Sequence, residues 1–459
     1  MPNILSGQKP LALSAPIKPL TDRRELGDSA STRALIYDNV LQAAQNLPEL
    51  GNARHTLRLT NVKYGDEGLF SINKQKDAIL ANKTLGRRLV GTWNLVDNET
   101  SKVIDTKTQT LASVPFMTNR GTFINNGNEY TIANQMRLRP GVFTRIKDNG
   151  EIEAHANLLP GKGTGHRYFL NPEKGDFSIR VGQAKIPVFP LLKSLGVSDG
   201  QMQKAWGAGI YQANALKNNP QALDKLHDRL VSQRIKKENE GATKAHMLRL
   251  AISGMEVDPE VMERTLGLRT RTLNADVVLA ITQKLLAVSR GEGSVDDRDH
   301  LAYQNVYGPE DLLAERITKD YGGIRRGALH KASFKGTLKN LQPGLLTKQI
   351  QSVLLNSGLA NSIEEINPAE VFDKQSKISR LGEGGIPSID AVPDEARAVQ
   401  PSHMGFIDPV RTPESFRVGV DVNMATAVRK GRDGRIYSPF IDARSGRKVY
   451  RSPQDTANN

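Results

Sequence analysis

A chain of 459 residues, 38% hydrophobic and 24% charged, is long enough for about two to four packed domains, and it holds no apolar run of 18 residues that would span a bilayer. It has no cysteine, which excludes disulfides, thiolate zinc sites and a cysteine nucleophile and fits a reducing cytoplasm. A net charge of +14 and a pI near 9.7 point to a polyanionic partner or to a basic surface kept for solubility; 5% aromatics argue against binding mainly by base stacking.

Residues 1–28 carry scattered Pro, Gly and charge without a period and read as a flexible or peripheral arm. The start, Met1-Pro2-Asn3-Ile4-Leu5, lacks the charged and then apolar segments of a secretory signal. Asp28 or Ser29 can cap a helix with the stripe Ile36, Val40, Ala44 and Leu47, ended by Pro48. Alternation then predicts strands through Leu57 and Leu59, and through Leu89, Trp93 and Leu95. Asn126-Gly127 and Asn149-Gly150 predict hairpins, because both central residues of a type I′ turn need φ > 0. The first 190 residues are therefore expected to be mostly strand with one helix.

From about residue 198 the period becomes helical. Ser198 caps a helix with Met202 and Trp206. Asn219-Pro220 opens one with Leu223, Leu226 and Leu230. Asn274 or Asp276 opens a third with Val278, Ile281, Leu285 and Val288, broken by Gly291 and Gly293. Such stripes are core far more often than cofactor sites. From Tyr321 to Ile363 there is no Asp or Glu, while Arg325, Arg326, Lys331, Lys335, Lys339 and Lys348 fall there, a field that can hold phosphates without reading sequence. The last hundred residues carry Gly382, Gly384, Gly385, Pro387, Pro393, Pro401, Pro409 and Pro413, leaving little room for long regular elements. Asp433-Gly434 and Ser445-Gly446 suggest a return to short hairpins before a basic, polar tail.

A self-contained active site does not emerge. Gly161-Lys162-Gly163-Thr164-Gly165-His166 lacks the Lys-then-Ser/Thr ending of a phosphate loop and reads as a turn. Asp296-Asp297-Arg298-Asp299-His300 has diverging side chains and reads as a solvated, capped junction rather than a metal cluster. The eight histidines are scattered, and no Gly-x-Ser-x-Gly elbow occurs. Two-metal nucleotidyl transfer needs clustered carboxylates, and no Asp-x-Asp-x-Asp run is present.

Three stretches resemble the β subunit of bacterial-type multisubunit DNA-directed RNA polymerase. The first runs from Val114-Pro115-Phe116-Met117-Thr118 through Gly121-Thr122-Phe123, Asn126-Gly127, Glu129 and Gln135 to Pro140-Gly141-Val142-Phe143, with Tyr130 and Arg139 where the family has arginine and serine. The second is Val295-Asp296-Asp297-Arg298-Asp299-His300-Leu301. Ile186-Pro187, after Phe177-Ser178-Ile179-Arg180, resembles the strand leading into the family's lobe. The third is the rifampicin-pocket region, ungapped from Leu359 to Gly385, with Asn367-Pro368, Ile378-Ser379, Leu381-Gly382 and Gly384-Gly385. It is followed by Pro401-Ser402-His403-Met404-Gly405 and Thr412-Pro413-Glu414.

The resemblance implies the N-terminal half of a β-type subunit and an α+β fold. Its expected parts are an N-terminal arm (1–30), a protrusion (31–160, returning over 318–358), an inserted helix-rich lobe (161–317) and a loop-rich fork region (359–459). Positions matching channel-facing ones are Gln135, Asn361, Glu364, Lys374, Lys377, Ser379, Glu414 and Arg417; Arg325, Arg326 and Lys331 join them as expected nucleic-acid contacts. Lys374, Lys377 and Arg417 would meet RNA phosphates, or only shape the channel wall. Asn361, Glu364, Lys374 and Lys377 replace the family's Gln, Asp, His and Arg in the antibiotic pocket, which implies rifampicin resistance. No catalytic residue, metal ligand or cofactor is expected in this chain. Mg²⁺ would be held by a β′-type partner, and the C-terminal half of β would be another partner beside DNA template and RNA–DNA hybrid. A split β resembles what giant bacteriophages encode, giving a phage-encoded chain in the bacterial host cytoplasm or in the virion; a truncated subunit is the competing origin. The rival functions are a non-catalytic basic DNA-binding or virion structural protein that reuses the fold, and a self-sufficient nucleic-acid enzyme.

Overall fold

The computed structural model describes residues 23–24, 29–65, 70–147, 149–332, 337–364 and 366–457. The chain forms two compact units, Met1–Met136 with Val306–Asn459, and Arg137–Asn305. Both mix helices with mainly antiparallel sheets. No described helix is long and apolar enough to cross a membrane.

In the first unit the helix Ser29–Gln45 buries Ile36, Val40 and Ala44 as their 3-and-4 spacing requires. Asp28 lies outside the described residues, as does most of the N-terminal arm; the backbone of Arg23–Arg24 pairs with Arg429–Gly431. The helix covers a sheet of Leu50–Gly51, His55–Tyr64, Gly86–Asp97 and Val103–Pro115. Leu57 stands opposite Leu95 and Leu59 opposite Trp93, so one face of alternate residues turns inward. Leu57, Leu89, Trp93 and Leu95 are fully buried in one core with Ile36, Leu313, Ile324 and Ile350.

One helix escapes the alternation pattern. Ile72–Leu80 is capped by the Ser71 side chain, which accepts from the Lys74 amide, and it buries only Ala78. A polar helix with no apolar stripe leaves no periodic trace. Asn126 and Gly127, with φ of 48° and 78°, close the hairpin of Phe123–Asn125 and Asn128–Ile132. In the other pair only Gly150 is left-handed, with φ of 76°; that hairpin closes through the Lys147 amide donating to Glu151 O instead of a two-residue turn.

The second unit packs helices on one face of a five-stranded antiparallel sheet: Gly141–Ile146, Ile152–Asn157, His166–Asn171, Asp176–Val181 and Ala184–Pro187. A cut at residue 161 would divide this sheet. Ser198 caps Asp199–Trp206 in a capping box with Gln201; Asn219 caps Pro220–Leu230, and Asn274 caps Ala275–Ser289. Their stripes bury Met202, Trp206, Leu226, Leu230, Val278, Ile281, Leu285 and Val288. Gly161 and Gly163 take positive φ in the connection between two strands. There His166 is buried, Nδ1 within 2.9 Å of Thr164 O and Nε2 within 3.0 Å of the Tyr168 hydroxyl. Asp296, expected in solvent, is instead nearly buried. It accepts from the Thr144 amide and hydroxyl at 2.7 and 2.8 Å and from Lys284 Nζ at 2.7 Å. It therefore ties helix Ala275–Ser289 to the first strand of the sheet.

Burial, with Arg167 and Arg298 beside it, pushes His155 down to about 4; burial also lowers His166 and His300. A folded pKa below the unfolded 6.5 means that the unfolded chain takes up the proton first. Stability from these groups is complete above about pH 6.5 and is lost as pH falls toward 4, His155 alone accounting for up to about 3 kcal/mol. Thermal melting of the chain between pH 7 and 5 should fall steadily, and His155→Gln should flatten part of that slope.

Candidate nucleic-acid interface

Three of the expected contact residues, Gln135, Lys377 and Ser379, lie on one small sheet of the first unit, and Arg417 reaches it through Asp421. Its centre is Lys377–Ser379, parallel to residues 134–135 and antiparallel to Asp421–Met424. The Asn134 side-chain amide donates to Gln375 O at 2.8 Å and to Lys377 O at 3.1 Å, so the early block and the late block are locked together. Beside them the 118–122 loop is closed by the Thr118 and Thr122 hydroxyls at 2.6 Å. Gln375 Nε2 donates to Arg120 O at 2.7 Å. Gly121, with φ of 77°, allows this approach: a Cβ there would stand 2.3 Å from the Gln375 amide.

Gln135 is completely buried and donates to Leu381 O at 2.7 Å, bracing the Gly-rich bend after the strand rather than facing solvent. A Cβ on Gly385 would come within 2.9 Å of the Gln135 amide nitrogen. Ser379 is also buried, its Oγ accepting from the Leu381 amide at 3.2 Å.

Lys377 and Arg417 meet on Asp421. Lys377 Nζ lies 3.1 Å and Arg417 Nη1 3.2 Å from Asp421 Oδ2. The carboxylate is buried while both cations keep part of their surface in water, and Oδ1 accepts no hydrogen bond among the described residues. Sequence reasoning missed Asp421, although its four-residue distance from Arg417 was visible. It missed Asp373 as well, which Arg411 grips through two bonds of 2.5 and 2.7 Å. Lys374 pairs with Glu370 at 3.0 Å on the short helix Pro368–Lys374.

Asn361, in the strand Ala360–Ser362 opposite Thr131, is exposed, as are Glu364 and Glu414. Arg325 and Arg326 belong to the helix Tyr321–Ala332. Arg325 donates to Gly51 O at 3.1 and 2.5 Å, and Arg326 donates to Gly322 O at 3.3 Å. These contacts bind them to their own neighbourhood, apart from the Asp421 pair. The side chain of Lys331, and all of Lys335, lie outside the described residues.

The arrangement offers partly exposed cations held in place by a buried carboxylate, which suits phosphate contact. It does not suit a metal centre: Asp421 and Asp373 are engaged by Lys or Arg, and among the described residues no group of three His, Asp or Glu could hold an ion.

Residues 139–307 match the family model for domain 2 of RNA polymerase Rpb2, and residues 361–429 the model for its domain 3. Similar curated proteins are DNA-directed RNA polymerase β subunits. That of Pyropia yezoensis is 26% identical over 375 residues, covering 74% of this chain and 33% of that protein. That of Thermosynechococcus vestitus is 26% identical over 425 residues, covering 86% and 36%. That of Prochlorococcus marinus strain AS9601 is 27% identical over 400 residues, covering 82% and 36%. The chain thus spans about a third of the length of the curated relatives it matches.

Gln135→Leu keeps the shape of the side chain but removes the donor to Leu381 O, and a buried carbonyl left unpaired costs about 1–3 kcal/mol. Chemical denaturation should report that loss.

Proposed function

The chain belongs to the β-subunit family of multisubunit DNA-directed RNA polymerases, and we propose that it lines the DNA/RNA channel of such an enzyme while companion chains make the phosphodiester bond. The observation that carries this reading is the ordered match to two successive Rpb2 domains. We read residues 31–160 and 318–358 as protrusion, 161–317 as lobe and 359–459 as fork region. The separate compact unit Arg137–Asn305 supports an inserted lobe and favours an earlier start for it.

Nucleotidyl transfer by two metals needs carboxylates that hold the ions about 3.5–4 Å apart. The described residues do not fit that demand; we place Mg²⁺ on a β′-type partner. Lys374, Lys377 and Arg417 would meet backbone phosphates, with Asn361 and Glu414 at the wall and Gln135 and Ser379 shaping it from within. Arg325, Arg326 and Lys331 would add a basic flank. Ile366, Val410 and Phe416 are 90%, 82% and 69% exposed, apolar surface of the kind that partner chains cover. The partners we infer are the remaining β-type segment and β′-type chains, together with DNA template and RNA–DNA hybrid. We place the assembly in a bacterial host cytoplasm, encoded by a phage, or in its virion.

Purification through a tag on this chain should bring down β- and β′-type companions and DNA-dependent RNA synthesis. Recovery of the chain alone, or with virion structural proteins only, would overturn the reading. In the assembled enzyme Lys377→Ala with Arg417→Ala should make elongation complexes dissociate several-fold faster at raised salt. Asn361, Glu364, Lys374 and Lys377 change the hydrogen-bonding groups of the antibiotic pocket, so RNA synthesis should persist at rifampicin concentrations that stop a sensitive polymerase.

A further inference from the structure

The bend after the strand Lys377–Ser379 is built on glycine. Gly382 and Gly384 take φ of 107° and 90°, a region that other residues rarely enter. The backbone closes on itself there. The Gly385 amide donates to Gly382 O at 3.0 Å, the Gly382 amide to Ile386 O at 3.1 Å and the Ile386 amide to Arg380 O at 3.0 Å. Between the two left-handed glycines stands Glu383, which brings the only side chain to residues 382–385. Glycine gives up more backbone freedom on ordering than any other residue, so an outside tether matters most at such a pivot.

Arg316 supplies the tether. Its Nη1 donates to Glu383 Oε2 at 2.6 Å and its Nε to Ser352 Oγ at 3.0 Å. The Ser352 hydroxyl donates in turn to Gln349 O at 2.7 Å. Arg316 lies on the helix Pro309–Lys319, which buries Leu312, Leu313 and Ile317. Ser352 lies on the helix Thr347–Leu355, which buries Ile350, Val353 and Leu354. The base of the tether is thus fixed in the core, while its charged end meets water: the side chains of Arg316 and Glu383 are 32% and 65% exposed. A pair exposed to this degree contributes little and weakens with salt, so it can open without disturbing the helices beneath it.

Beyond the pivot the chain is tied together as one piece. Val392, Ala396 and Val420 form a small core with Leu381, Ile386 and Ile389 packed against it. Arg397 clamps this core, donating through Nη1 to Phe416 O at 2.9 Å and Val418 O at 3.3 Å, and through Nη2 to Ile389 O at 3.3 Å. Residues 386–398 are therefore cross-tied to the 416–420 loop, and the glycine pivot joins them to the strand that carries Lys377. We propose that Arg316 is a positioning residue: its pair with Glu383 latches the pivot and fixes the segment 386–398, and loss of either partner releases it. The latch itself is a property of this chain; its bearing on RNA synthesis rests on the polymerase reading.

Hydrogen exchange of the full chain, read on peptides covering residues 380–390, tests the latch. Arg316→Gln and Glu383→Gln should each speed exchange there about two- to five-fold, the range that an exposed ion pair commands. Peptides from the helix Thr347–Leu355 should keep their rate. The double variant should exchange no faster than either single one, because both remove the same contact. Arg316→Lys keeps a cation for Glu383 and should restore most of the protection. Added salt should bring the unsubstituted chain toward the rate of the variants and leave the variants where they are. Unchanged exchange in both single variants, additive effects in the double variant, or no restoration by lysine would overturn the proposal. In the assembled enzyme the glutamine variants should slow RNA synthesis by up to about the same factor, with Arg316→Lys restoring it. Undiminished synthesis with a released bend would refute the positioning role. Exchange needs no companion chain, so its failure leaves the subunit reading standing, and failed co-purification leaves the latch standing.

Discussion

Three residues in the middle of a short sheet hold the candidate channel wall together. Lys377–Ser379 can be a strand only because residues 134–135 pair with one edge and Asp421–Met424 with the other. A three-residue strand has almost no intrinsic stability. Its order comes from Ile378, which is completely buried, and from the Asn134 amide, which satisfies two carbonyls of the incoming loop. The glycine-rich segment that follows closes on itself, the Gly382 amide donating to Ile386 O and the Ile386 amide to Arg380 O. Gln135 and Ser379 satisfy the backbone of Leu381, the one by donating to its O and the other by accepting from its amide. The strand that carries Lys377 therefore depends on contacts between segments about 240 residues apart in sequence.

That dependence explains which parts were legible. Asn126-Gly127 names its turn because two left-handed residues in a row are cheap only for such a pair. The caps at Ser198, Asn219 and Asn274 are equally local, since a side-chain oxygen satisfies an amide two or three residues on. Gln135 is different. A glutamine between Asn134 and Met136 carries no mark of burial, and its partner is decided by a bend at residue 381. Asp421 is similar: the cations were visible, but their joining on one carboxylate awaits the pairing of Ser379 with Asp421. The helix Ile72–Leu80 was hidden because its one buried side chain is an alanine. The charged face of the five-stranded sheet could have been read earlier, since Arg145 and Lys147, Glu151 and Glu153, and Arg167 and Phe169 each keep the period of 2.

Net charge alone gives a poor account of this molecule. Of the basic residues between Tyr321 and Ile363, Arg325 and Arg326 are engaged with backbone carbonyls of their own unit. Lys430, deep in the first unit, is bound at 2.5 Å by both Glu310 and Asp311 and ties the C-terminal hairpins to the helix Pro309–Lys319. Removing one member of such a buried set leaves a charge without compensation, at about 3–5 kcal/mol. Lys430 is therefore structural, whereas Arg325 and Arg326 stay exposed. What remains for a polyanion is the smaller set whose heads reach solvent.

Two places share one device for presenting that set. At Asp421 a buried carboxylate holds Lys377 and Arg417; at Glu153 another holds Arg145, Lys147 and Arg167. Each acid subtracts one unit from the local field, which at first sight weakens phosphate binding. It also removes rotamer freedom that long basic side chains would otherwise surrender on contact, about 0.5–1.5 kcal/mol for each side chain immobilised. For two or three cations the saving is comparable to the attraction lost, because part of each head is hydrated and the field there is screened. The balance favours fixed geometry over raw affinity. Under the proposed role, a surface that guides a moving polymer would need contacts that are well placed and individually weak, and cations leashed to buried acids meet both conditions.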